Sequence, residues 1–212
     1  MKFKKMSTLV LFLLPIGVAM NFIGYQLTTL MKLPLVMDAI GTIVVGALCG
    51  PFAGALVGLV TNVINSISVP TSAFYAPISI LFGVAAGFLS KKRVFTSLSK
   101  TSLTFIIFAS LGAGLGTGIT WILYGFDWGT HVQHVLIGIP LHQVFGVPVF
   151  FAQLISAFLF DSIDKILTVL AVYFILKSLP LRFLVKLPYG KYFVDEEKDE
   201  EKDEEKNDSV TA

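Results

Sequence analysis

Residues 33–65 read LPLVMDAIGTIVVGALCGPFAGALVGLVTNVIN, and this stretch decides the fold. It is almost wholly apolar, yet it holds one carboxylate, Asp38, and two amides, Asn62 and Asn65. Gly46, Gly50, Gly54 and Gly58 recur four apart, a spacing that sets small residues on one helical ridge where backbones can approach closely. The Gly50-Pro51 pair cannot continue a helix, so a helical hairpin folded there is predicted. A charge at the outer edge of such a hairpin is expensive in lipid and should face the protein interior.

Composition sets the class around that stretch. A mean hydropathy of +0.80, with 55% hydrophobic and 14% charged residues, describes an integral membrane protein, not a soluble domain. The charges are unevenly placed. Residues 195–208 hold ten of the fourteen acids and three lysines, so the formal net charge of +2 combines a basic body of about +9 with an acidic tail. The chain divides into a membrane domain over 1–187 and a charged cytoplasmic tail over 188–212, expected to be disordered after Tyr192. Cys49 is the only cysteine, which excludes an intrachain disulfide and any CxxC or Cys/His metal spacing. Lys2, Lys4 and Lys5 before an apolar run resemble a signal peptide. The run continues too far and lacks a nearby cleavage site, so a first transmembrane helix is expected.

Helices are predicted over about 7–30, 36–49, 52–68, 74–90, 102–124 and 148–179. The second is too short to span alone, and residues 33–38 are expected to dip into the membrane from outside, buried in protein. Residues 126–146 hold Asp127, Trp128 and all three histidines and read as a loop or interfacial segment. Basic residues gather before the first helix, at 91–100 and after residue 177, with only Lys32 on the opposite side. Positive-inside bias then puts both termini in the cytoplasm, and six spans satisfy the even number this requires. The last helix would be about 48 Å long, more than a bilayer's thickness. If Lys177 marks the inner surface, Asp161, Asp164 and Lys165 lie in the outer half of the membrane. A cytoplasmic turn at 161–165 would instead place the basic C-terminal segment outside, against the same rule.

Depth along each helix gives a convergence of intramembrane polar groups in the outer leaflet. Asp38, Thr42, Asn62, Asn65, Tyr75, Ser79, Trp121, Tyr124, Asp161, Asp164 and Lys165 all fall there, and together they predict an outward-facing binding pocket for a small, flat, polar-edged ligand. Other roles are open for several of them. Asp38 can cap the second helix, Asn62 and Asn65 can serve as interhelical hydrogen-bond glue, and an aspartate can pair with Lys165 to hold the bundle. Trp121, Tyr124 and Trp128 suit an interfacial aromatic belt. His131, His134 and His142 lack ligand spacing for a metal. Gly112–Gly118 is no phosphate loop, because it sits inside an apolar span without a following Lys-Ser/Thr. No nucleophile–base pair, carboxylate dyad or nucleotide motif stands out, so no enzyme activity, cofactor or nucleic-acid partner is expected.

The run Leu33-Pro34-Leu35-Val36-Met37-Asp38-Ala39-Ile40-Gly41-Thr42, followed by Gly50-Pro51, Gly54, Gly58 and Asn62, resembles the substrate-binding S components of energy-coupling factor (ECF) vitamin transporters, in the riboflavin-transporter-like branch. Asp164-Lys165 before an apolar span and a basic end supports the resemblance, which covers about residues 7–187. The resemblance implies a six-helix protein of a bacterial cell membrane that captures a vitamin or related micronutrient from outside. A transmembrane scaffold (T) subunit and two cytoplasmic ATPases would then drive its release inward. The family's first helix offers an Ala-x-x-x-Ala face to the scaffold, and this chain departs from it, with only Gly17 to Asn21 and Met20 to Gly24. A membrane sensor for a small ligand and a stand-alone permease are the rival readings.

Overall fold

The computed structural model describes residues 7–31, 33, 35–125, 128 and 134–194, and among them the chain is helical throughout, without strands. Its elements are α1 (Thr8–Leu30), α2 (Ile40–Cys49), α3 (Pro51–Ser68), α4 (Ala76–Lys91), α5 (Leu98–Leu103), α6 (Phe105–Tyr124), α7 (Ile139–Gln143), α8 (Val149–Ser178) and α9 (Leu181–Leu184). Four helical stretches, Thr8–Leu30, Pro51–Ser68, Pro70–Lys91 and Leu98–Tyr124, are long and apolar enough to cross a membrane. The outside of the bundle is oily and the inside carries the polar groups. Ile122 is 85% and Ile67 83% exposed, while Asn21, Thr42 and Gln153 are fully buried. This inversion suits a lipid solvent, in which buried polar groups must find partners within the protein.

Ser7 opens α1 by accepting the Val10 N–H at 3.4 Å, and α1 packs on both α2 and α3. The hairpin forms as expected at Gly50-Pro51. Gly50 takes φ 101°, which only glycine adopts without strain, and Pro51 occupies the first position of α3, where its missing N–H costs nothing. The four glycines do not form one ridge. Gly46 lies on α2 while Gly54 and Gly58 lie on α3, and they meet α4 between them. A Cβ built on Gly54 would stand 2.6 Å from the Gly46 Cα and 2.8 Å from the Gly83 Cα, so the three backbones touch with no room for a methyl. The core, with Ile43, Leu48, Val57, Phe82, Phe108 and Val169, lies where α2, α3 and α4 meet α6 and α8.

Three predicted elements differ in the structure. The second helix starts at Ile40, not near residue 36, because residues 35–39 are irregular, with Met37 at φ 44°, and the Val36 and Met37 N–H groups are held by a distant side chain, Asp164. The helix expected over 102–124 is broken at Thr104, where Thr101 and Thr104 hydroxyls bond back to carbonyls at Ser97 and Thr101 (2.8 and 2.6 Å) and a new helix begins. The segment expected as a loop contains a π-helical turn, His134–Gly138, and then α7; Asp127 and His131 lie outside the described residues. Residues 188–194, assigned by composition to the tail, lie against the turn between α2 and α3. The Tyr189 N–H donates to the Leu48 carbonyl at 3.1 Å and its ring covers Gly50. The acidic residues 195–212 lie outside the described residues.

Candidate functional site

Antiparallel packing sends the C-terminal ends of α1, α3 and α6 and the N-terminal ends of α2, α4 and α8 to the same end of the bundle, opposite Gly50, Lys91 and Lys177. A cavity of about 380 Å³ opens among them. Asp38 from the segment before α2, Asn62 and Asn65 from α3, and Tyr75 at the head of α4 line it. Ser79 of α4, Tyr124 at the end of α6, and Asp161 and Lys165 of α8 complete the set of predicted residues that face it.

The polar lining is partly spent on holding the walls together. The Asn62 amide donates to the Gly58 carbonyl at 2.9 Å and across to Ser79 Oγ at 2.7 Å, tying α3 to α4. Tyr75 Oη and Thr120 Oγ1 share a hydrogen bond of 2.9 Å, tying α4 to α6. Two acceptors are unspent. Asn65 Oδ1 and Thr117 Oγ1 are buried, line the cavity and have no hydrogen-bond partner among the described residues. Unpaired polar atoms are rare in protein interiors, and these two are open to whatever fills the cavity, water or solute.

Charge is concentrated on one wall. Lys165 is buried and donates to Asp164 Oδ2, and its ammonium stands 5.1 Å from the Phe82 ring centre. The other Asp164 oxygen accepts the N–H groups of Val36 and Met37, each at 3.0 Å. One carboxylate thereby fixes the segment that carries Asp38, including Met37, which sits in the left-handed region at φ 44°. Such a backbone position costs about 1–3 kcal/mol and persists only where the surroundings enforce it. Asp38 and Asp161 both lie within electrostatic reach of Lys165, but its hydrogen bond goes to Asp164. Asp161 rests against Gly112 of α6, where a Cβ would stand 2.5 Å from Oδ2.

Other expected site residues lie elsewhere. Thr42 is fully buried beside α1 and does not line the cavity. Its hydroxyl accepts from Asn21 Nδ2 at 2.7 Å, and the same amide reaches Thr61 Oγ1 at 3.0 Å. Asn21 Oδ1 accepts the N–H groups of Gly41 and Thr42 at 2.7 and 3.3 Å, so Asn21, rather than Asp38, satisfies the start of α2. Gly17 and Asn21 are thus buried against α2 inside the chain. Trp121 donates from Nε1 to Gln153 Oε1 and stacks on Phe150 with ring centres 4.4 Å apart, outside the cavity lining. Trp128 packs against the His134 and His142 rings. His134 Nδ1 and His142 Nδ1 lie 3.3 and 2.8 Å from the backbone carbonyls of Trp128 and Val147, and no metal-binding cluster occurs among the described residues.

Tyr25, Thr117, Thr120 and His134 line the cavity without having been singled out for it. Part of the signal was available: Asn21, Tyr25 and Thr28 follow helical spacing on one side of an otherwise apolar α1. Comparison with protein-family models, curated proteins and solved structures returns no match to this chain.

Proposed function

We propose that the chain is a substrate-capture subunit of an ECF-type importer, taking a vitamin or related micronutrient from outside the cell. It hands that solute to a scaffold subunit driven by two ATPases. The observation that carries this reading is the cavity at one end of the bundle with two buried, unpartnered acceptors, Asn65 Oδ1 and Thr117 Oγ1. Its volume suits a single heterocycle of vitamin size, and its tyrosines supply flat apolar surfaces with polar rims. In this reading α2 with the irregular segment before it, and α8 with its charges turned inward, join the four apolar stretches to make six spans. The basic end at Lys91 and Lys177 faces the cytoplasm, so the cavity opens outward. The protein binds rather than transforms its ligand; the chemistry of ATP hydrolysis belongs to the partners.

Native mass spectrometry of the protein gently extracted from its own cells tests the assignment. A bound small aromatic solute together with a scaffold and two ATPases is the expected result. Recovery with a kinase would favour a sensor, and solute uptake in cells without scaffold genes would favour a permease. Either finding rejects the capture-subunit assignment.

A further inference from the structure

We propose that the cavity selects a small organic cation: a flat, largely apolar molecule bearing an amidinium, ammonium or similarly charged hydrogen-bond donor. The inference rests on the cavity being a capture site, and it names the chemical class captured.

Three carboxylates, Asp38, Asp161 and Asp164, surround one ammonium, Lys165, leaving a formal excess of two negative charges in a largely buried site. Lys165 is already hydrogen-bonded to Asp164, and Asp164 is completed by the Val36 and Met37 N–H groups. Asp164 thereby has its partners, while Lys165 spends one of its three N–H donors on it. Asp38 and Asp161 face the cavity, and Lys165 is the only Lys or Arg among the described lining residues. Buried charge without adequate compensation is costly in a bilayer, and a bound cation supplies the missing partner.

The unspent groups point the same way. Asn65 Oδ1 can only accept, and the open Thr117 hydroxyl can accept as well as donate, so both can take up N–H donors of a ligand. They are buried to 3% and 4% exposure. Tyr25 and Tyr75 are also in the lining, and an aromatic ring turned to the ligand would add cation–π attraction. An anion would meet the repulsion of Asp38 and Asp161 and find a single ammonium, whose charge is already shared with Asp164 although two of its N–H donors are open. A neutral ligand of the same shape would leave those carboxylates to be neutralised by protons instead of by the ligand.

Benzamidinium, benzamide and benzoate share a ring and differ in charge, which makes them a matched probe set. Their binding to the purified protein in detergent would be followed by ligand-observed NMR up to about 10 mM, covering the weak end of the affinity scale. Benzamidinium should bind roughly tenfold or more tighter than benzamide, and benzoate should not bind. Asp161→Asn and Asp38→Asn, nearly isosteric changes, should each weaken benzamidinium and leave benzamide unchanged or improved. Equal or better binding of benzamide or benzoate overturns the proposal. So does a cation preference that survives both substitutions together, or failure of the folded protein to bind any of the three. The wild-type series needs no variant to fold. Copurification of scaffold and ATPases is blind to ligand charge, so the capture assignment and the charge selectivity can each fail alone.

Discussion

Asn21 does more for this fold than any charged residue outside α8, and nothing in its neighbourhood announces it. One amide satisfies two backbone donors of α2 and both threonine hydroxyls facing it, from a position buried in α1. Replacing it by leucine leaves the Gly41 N–H without its acceptor inside a dry interior, where an unmet donor costs about 1–3 kcal/mol. Asn21→Leu should therefore lower the thermal midpoint of the detergent-solubilised protein clearly, and a melt matching the native one would remove Asn21 from this role. Asp38 and Asn62 were legible as site residues because a polar side chain in an apolar run needs a reason. Asn21 carried the same signal but was read only for its small size. Thr42 was misplaced because distance from a helix end gives depth but not facing: it stands at the right depth on the side turned to α1.

At the scale of elements, the tightest joint is that of α3 with α4, extended by α2. Gly46, Gly54 and Gly83 meet backbone to backbone, and van der Waals contact replaces the hydrophobic drive that lipid does not supply. Gly83→Ala forces its methyl into the α3 backbone and should destabilise by about 1–3 kcal/mol, the usual cost of overpacking, or more. Gly114→Ala on α6 meets nothing within 4 Å and, by helix propensity, should be neutral or stabilising by up to about 1 kcal/mol. Unfolding both variants side by side decides the matter; equal effects would mean that backbone proximity is not what the glycines provide. The long apolar helices were readable from hydropathy, and the hairpin from Gly50-Pro51. The start of α2 was not, since Asn21 and Asp164 fix it from other helices. The break at Thr104 was not, since it has neither glycine nor proline and relies on two hydroxyls turning back to the backbone.

For the whole molecule, the proposed orientation makes a labelling pattern. Cys49 is the sole cysteine, so a Cys49→Ser background accepts single reporters. With both ends of the chain in the cytoplasm, Ser7→Cys and Ser209→Cys should resist a membrane-impermeant maleimide on intact cells, while Ser72→Cys at the cavity end should react. Labelling of either end-of-chain site, or protection of Ser72→Cys, would reverse or redraw the topology. The clamp between Asp164 and the segment at Val36 and Met37 also bears on the making of the chain. Its two halves are separated by 128 residues for Val36 and 127 for Met37. At about 5–20 residues per second, the ribosome leaves Val36 and Met37 without their anchor for roughly 6–26 s. Until α8 is inserted, the cavity has no fixed wall on the side of Asp38. Under the proposed function, a nascent or truncated chain would occupy the membrane without the means to retain a solute, and competence to bind would arrive only near the end of synthesis.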